Sequence, residues 1–466
     1  MRPVPSPLNP PGALPAGLDE IVTSALARYR VPGCAVAIAH RGRHWTGAYG
    51  LARTDPEQPF LPQTRVPVAS MTKPFTATAV LALAEAGAVD LDEPVRRYLP
   101  RFRVADEEAT ASVTVRHLLT HQTGWLGDEP EFVTDRGDGA LAAQVAAFSS
   151  LPQFLPPGTT FSYCNTGLDV AGRLVEVMSG QSYESFVEDR ILTPLGMTGS
   201  TFFAERVVSQ PAAAGHTRED DGSPHPVQDA WLLPRGVNPS GGLISTAGDQ
   251  LRWMRWWLGE LDAAGPVSAR TRKAMISDPV PVRAGRAATG LGWHVDYLPR
   301  GASRVGAVYH EGSLHGTATV CRFVPEADLA VVVLTNADDG QLVYREVGDA
   351  LLAELGGIGR PDRKIALDTG GRELAAYTGS YSTPERREAS SRVEVTAGSG
   401  ILHLRVTTVH YDQPMVMGAG RAGGDEFALL DGPWREEPLA FLREPSGALL
   451  GLRIAGRVFL YQGGTA

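Results

Sequence analysis

Residues 65–95 read RVPVASMTKPFTATAVLALAEAGAVDLDEPV. Phe75, Ala79, Leu81 and Leu83 suit a buried helix, and Gly87 ends it. Pro74 then falls in the first turn, where a missing N–H is tolerated. Ser70 therefore sits at or just before the helix N-terminus. Lys73 follows at i+3, which puts the two Cβ atoms about 5–6 Å apart. A buried neutral lysine there can take the proton of the serine, and the helix N-terminus favours negative charge developing beside it. The bland alternative is a serine cap with an exposed lysine one turn on. The apolar helix that follows at once argues that this turn points inward.

Working outward, a helix over Leu18–Tyr29 precedes a strand pair, CAVAIAHRG (34–42) and HWTGAYGLA (44–52), turning at Gly42. Residues 114–252 read as mostly helical with long loops. FSYCNTGLDVAGRLVEVMSG (161–180) passes from a loop into a helix ending near Gly180. Trp253, Trp256 and Trp257 stand at helical spacing and read as core packing. Strands return at 306–335, where GAVYHEGS, GTATVCRFV and DLAVVVLTN are read, with PEAD (325–328) turning a hairpin. A helix over 340–355 and a GGIGRPDRK linker follow. From about residue 370 short alternating runs split by Gly, Pro and Asp predict a small antiparallel β-barrel. The expected organisation is a flexible Pro-rich leader (1–17), a catalytic domain (18–360) and a barrel domain (370–466).

The bulk numbers narrow the function classes. At 466 residues, with 43% hydrophobic and 20% charged, the chain is a globular protein of two domains. A net charge of -9 with no basic face argues against nucleic acid. Cys34, Cys164 and Cys321 lie far apart, without disulfide or metal-ligand spacing, and fit buried thiols in a reducing compartment. The N-terminus lacks an apolar block, and the longest apolar stretches, such as LAVVVL (329–334), are too short to span a bilayer. The expectation is a cytoplasmic protein with no membrane partner. Of 43 basic residues only three are lysines: Lys73, Lys273 and Lys364. Arginine essentially cannot lose its proton and lysine can, so a lysine retained at position 73 points to chemistry that needs one.

Two further motifs carry chemistry. Tyr163-Cys164-Asn165, just before a helix, can present a phenol and an amide to one point, although a buried tyrosine beside an Asn cap is the commoner meaning. His310-Glu311-Gly312 ends a predicted strand. Gly312 would let a substrate approach the strand edge, and the N–H of Ser313 could donate to an oxyanion. Other signals fail. His117 and His121 lack the glutamate that a zincin needs, no Gly-x-Ser-x-Gly occurs, and no phosphate-binding glycine loop follows a strand. No metal and no cofactor are expected, and Cys164 reads as a small buried filler.

In their order and spacing the three motifs resemble the serine β-lactamase and penicillin-binding-protein superfamily, especially its class C-like branch. That branch includes family VIII esterases, D-amino-acid peptidases and DD-peptidases. The likeness covers about residues 18–355 and extends to VRHLLTHQTGW, PPGTTFSYCNTG, ILTPLGMTGSTF and GGLISTAGDQ. It implies an α/β (α+β) fold: an antiparallel sheet flanked by helices, a helical lobe, and the active site between them. The C-terminal module resembles the lipocalin-like barrels of several such hydrolases. Carried over, Ser70 is the acylated nucleophile, Lys73 its base, and Tyr163 the proton shuttle. Asn165 would hold Lys73 and a substrate amide. The N–H groups of Ser70 and Ser313 would form the oxyanion hole.

His310 stands where many relatives carry lysine. A neutral imidazole there offers no permanent cation to a carboxylate, which favours esters and aminopeptidase-like substrates over β-lactams. The implied partner is a small-molecule or peptide substrate. A homo-oligomer and a carrier-protein-bound substrate stay open, as do acyl transfer or peptide cyclisation, DD-peptidase or weak β-lactamase activity, and an inactive ligand-binding relative.

Overall fold

The computed structural model describes residues 4–5, 17–128, 133–207, 209–219, 222–227, 231–262, 265–283, 285–360, 374–384, 391–407, 415–431, 435 and 437–463. The main sheet contains strands β1 (Val4–Pro5), β2 (Gly33–His40), β3 (Arg43–Thr54), β4 (Val280–Arg283), β5 (Ala287–Thr289), β6 (His294–Arg300), β7 (Ser303–Leu314), β8 (Thr317–Val324) and β9 (Leu329–Thr335). Their spatial order is β1-β3-β2-β9-β8-β7-β6-β5-β4, antiparallel throughout, with Glu57–Pro59 added beside β3.

The central strands read as unbroken apolar runs because both faces are covered. Alternate residues of β2 and β9 enter two different cores, as a side-chain period of two requires. Val36, Ile38, Val331 and Val333 pack against helices α1 (Leu18–Tyr29) and α5 (Gly340–Gly356). Ala35, Ala37, Val332 and Leu334 join the larger core, which holds α2 (Lys73–Glu85), α3 (Asn165–Ser179) and α4 (Ala247–Trp257). The tryptophan stripe is core, as its spacing predicts. Phe75 stacks on Trp253 at 4.2 Å, and Trp253 on Trp256 at 4.9 Å.

Helix α2 is buried from Lys73 to Leu83. A helix apolar on every side belongs inside, and its two threonines do not contradict that. Thr76 Oγ1 donates to Pro239 O at 2.6 Å and Thr78 Oγ1 to Pro74 O at 2.8 Å, so no hydroxyl is stranded.

Eight further strands close the C-terminal barrel: β10 (Gly379–Ser382), β11 (Arg392–Gly398), β12 (Ile401–Thr407), β13 (Met415–Gly423), β14 (Glu426–Leu429), β15 (Pro438–Arg443), β16 (Leu449–Ile454) and β17 (Arg457–Gly463). Side chains fill the interior. Tyr377, Phe427 and Phe441 meet with ring centroids 4.5–5.4 Å apart, among Leu402, Leu404 and Leu452.

Three expectations change. Strands return at residue 280 rather than 306, because β4–β6 lie in a Pro-, Gly- and Arg-rich stretch without clean alternation. β7 runs on to Leu314 instead of ending at Gly312. Within the leader, Val4–Pro5 pair with Ala48 and Gly47 of β3. Residues 1–3 and 6–16 of that leader, 361–364 of the linker, and 370–373 at the start of the expected barrel domain lie outside the described residues.

Candidate active site

Ser70 sits in a single 3-10 turn, Ala69–Thr72, that runs straight into α2. Ala69 takes φ 49°, a left-handed conformation that costs a non-glycine residue about 1–2 kcal/mol. Thr72 holds the strained turn: its Oγ1 donates to Ala69 O at 2.7 Å and accepts from Leu243 N at 3.0 Å. The turn also packs against β7. A Cβ on Gly312 would lie 2.1 Å from Val68 O, so this glycine admits the backbone just before the nucleophile.

Lys73 is fully buried. Its Nζ donates to Ser70 Oγ at 2.9 Å and to Ser240 O at 2.6 Å. Burial drives its pKa down to about 7, against the opposing pull of Asp169 and then Asp128. Burial likewise raises the carboxyl of Asp169, with Ser240 and Lys73 opposing. Asp169 lies at i+4 from Asn165 on α3, and its Oδ1 has no hydrogen-bond partner. A lysine beside a hydroxyl, in a setting that disfavours its ammonium form, can as the neutral amine take the hydroxyl proton.

Tyr163 arrives from the loop before α3. Burial raises its phenol above the usual range, and a hydrogen bond with Ser70 works the other way. Its ring lies 4.9 Å from Lys73 Nζ and stacks on His121 at 4.5 Å. His121 Nδ1 accepts from Cys164 N at 3.0 Å, which fixes the ring under the tyrosine. So the histidine weighed and rejected as a zinc ligand is a platform for the motif instead. Asn165 is near but differently engaged. Its Nδ2 donates to Asp128 Oδ1 at 2.6 Å, while the second partner of Lys73 is Ser240.

His310 Nδ1 lies 2.7 Å from Glu311 O, and its Nε2 is enclosed without a partner. Burial holds this imidazole well below its ordinary pKa, so it is neutral at pH 7. Ser70, Tyr163, Asn165, His310, Gly312 and Ser313 line one cleft of 430 Å³. All seven residues singled out from the sequence converge here, with Lys73 beneath its floor.

The barrel forms part of the wall. In the turn between β16 and β17, Gly456 O accepts from Tyr163 N at 2.8 Å. Val458 N donates to Ser162 Oγ at 3.3 Å. Arg457 forms a two-pronged ion pair with Asp128, with Nη2 3.0 Å from Oδ1, and its guanidinium lies 5.2 Å from the Tyr163 ring centre. Sequence reasoning missed Asp128, Asp169, Ser240, His294 and Arg457. Only Asp169 carried a local signal, its helical spacing from Asn165.

A sheet flanked by helices, with a buried lysine bonded to a serine on the first turn of the central helix, defines the β-lactamase-like class of serine hydrolases. Comparison with known proteins agrees: the Beta-lactamase family model matches residues 18–354, and the chain belongs to that family. It is 33% identical over 345 residues to penicillin-binding protein 4 of Amycolatopsis lactamdurans, covering 72% of this chain and 88% of that one. Among solved structures, SurE superimposes with TM-score 0.72 at 25% identity, over 96% of this chain and 99% of that one. A class C β-lactamase matches in fold with TM-score 0.60 at 23% identity, over 72% and 95% of the two chains.

Proposed function

We propose that the chain is an acyl-serine hydrolase cleaving esters or peptide-like amides, those with D-residues included. The observation that carries this reading is the 2.9 Å hydrogen bond between Lys73 and Ser70 with the amine buried and readily neutral. Neutral Lys73 takes the Ser70 proton as Oγ attacks the carbonyl carbon. The N–H groups of Ser70 and Ser313 receive the developing oxyanion, a contribution worth about 10²–10³ in turnover for each donor. Tyr163, kept protonated by burial, passes a proton to the leaving group. Deacylation by water frees the serine. Asn165, held by Asp128, faces the substrate.

The neutral His310 supports substrates without a carboxylate at that point, and so esters and blocked amides ahead of β-lactams. The barrel wall supports a second reading, acyl transfer or peptide cyclisation, because Gly456 and Arg457 line the same cleft as Ser70, where a wall that excludes water would favour another acceptor. Eight antiparallel strands joined in sequence around the ring fit the lipocalin-like reading of this module.

The test is direct. Ser70→Ala should abolish cleavage of p-nitrophenyl butyrate and of a D-alanyl p-nitroanilide. A fluorophosphonate should add to Ser70 in the peptide mass map. Undiminished turnover in the Ser70→Ala protein would defeat the reading. A peptidyl thioester that gives cyclic rather than linear product would favour transfer.

A further inference from the structure

The edge of β7 that faces the cleft loses its neighbour at a defined point. β6 pairs with β7 from Arg300↔Ser303 to His294↔Tyr309 and no further. On its other side β7 continues against β8 to Leu314↔Thr317. A substrate lying along residues 310–314 therefore occupies the line of β6 and meets the residue at its end, His294.

His294 differs from the two histidines beside it. Its ring lies 4.9 Å from His310, 6.1 Å from His121 and 6.1 Å from Tyr163. The Nδ1 atoms of His310 and His121 have backbone partners, and their Nε2 atoms are shut away. His294 lines the cleft with Ser70. Neither of its ring nitrogens has a hydrogen-bond partner among the described residues, and neither is shut away.

We infer that His294 holds the acyl acceptor, its imidazole accepting a hydrogen bond from the water or amine that attacks the Ser70 ester. The inference rests on the acyl-serine reading above. Burial, and then the charge of Lys73, bring this imidazole down to about 4, so its lone pair is available at neutral pH. The titratable groups around it are His121, His310, Tyr163, Tyr309 and Lys73. None competes to accept the hydrogen bond that His294 receives in the resting acyl-enzyme. The phenols stay protonated, the other imidazoles are enclosed, and Lys73 is committed to Ser70 and Ser240. In the step served, the acceptor's oxygen or nitrogen bonds to the acyl carbon and the C–Oγ bond breaks. The acceptor's proton reaches Oγ through Tyr163 and Lys73. His294 orients the acceptor and ends unprotonated.

The experiment is stopped-flow hydrolysis of p-nitrophenyl butyrate, with intact mass of the full-length protein. In His294→Phe the burst of p-nitrophenol should survive while steady turnover falls about 10²-fold, the scale of a misplaced reactant. The butyryl adduct should accumulate on Ser70. His294→Gln, which keeps an acceptor atom, should recover part of the turnover. Unchanged turnover, or a burst slowed as much as turnover in a protein of unaltered Tm, would overturn the assignment. Absence of any adduct on wild-type Ser70 would instead overturn the acyl-serine reading, and His294 with it.

Discussion

Arg457, the first residue of the last barrel strand, donates from Nη2 to Asp128 Oδ1 at 3.0 Å, and that same oxygen accepts from Asn165 at 2.6 Å. One carboxylate thus ties the barrel to an amide at the cleft. Removing either charge leaves the other partly buried and unmatched.

A double-mutant cycle on Arg457→Met and Asp128→Asn should therefore show strong coupling. Each single change is expected to lower kcat/KM about 10²-fold through misplacement of Asn165 and Tyr163. The double change should cost little more than either one, giving a coupling energy of at least ~1 kcal/mol. Simple additivity would show that the pair does not act as a unit.

The rate should follow the proton on Lys73. On the proposed mechanism the amine is the active form, and its pKa is brought down to about 7. kcat/KM for a neutral ester is therefore low in acid, rises as pH climbs through that value, and levels above it. Lys73→Arg, whose cation persists at any working pH, should lose at least ~10³-fold in activity. A flat profile over about pH 5–9 in the wild-type enzyme would exclude this base.

Gly312 tests how the nucleophile turn is seated. In Gly312→Ala the new methyl would meet Val68 O at 2.1 Å and Thr319 Oγ1 at 2.7 Å. The cost should be about 1–3 kcal/mol in urea unfolding, with activity falling further as the Ser70 turn shifts away from β7. Gly348→Ala on α5, with no atom near its added carbon, is the control and should be neutral or stabilising. Equal unfolding midpoints for the two variants would contradict the seating of Val68 against Gly312.

The parts of this site that sequence revealed are those built by neighbours in the chain. Ser70 and Lys73 are joined by one turn, Tyr163 and Asn165 by two residues, and the apolar run after Pro74 shows that the turn faces inward. Individual helices, hairpins and the barrel were legible for the same reason, because helical spacing, turn residues and alternation are local, while the arrangement of the sheet between flanking helices was implied by the family resemblance. Asp128, Arg457 and His294 gave no sign. Each acquires its role from a partner on a distant segment, and an arginine on a barrel strand looks in sequence like ordinary surface charge. β4–β6 were overlooked because Pro281, Gly290 and Gly292 interrupt the pattern that marks a strand. Gly312 has a further neighbour, Val68, that spacing alone could not show.

Acid should loosen the fold through the partly buried imidazole of His294. His294 is held down to about 4 when folded, against about 6.5 in an unfolded chain. Between those values the unfolded state binds the extra proton, so stability is complete above about 6.5 and declines as pH falls toward 4. Tm should drop across that window. The drop should be shallower in His294→Phe, by about one proton of linkage in the slope. Identical slopes would mean that this imidazole is already charged in the native protein.

Gly456 and Val458 grip the backbone around Tyr163 from a hairpin that emerges late in synthesis. A ribosome finishes the nucleophile long before it finishes this hairpin. A nascent or truncated chain lacking β16 and β17 thus carries Ser70 and Lys73 without the contacts that hold Ser162 and Tyr163 from the barrel. The serine turn can therefore be complete in a chain whose tyrosine is not yet anchored, and assembly of the whole cleft waits on the last two barrel strands.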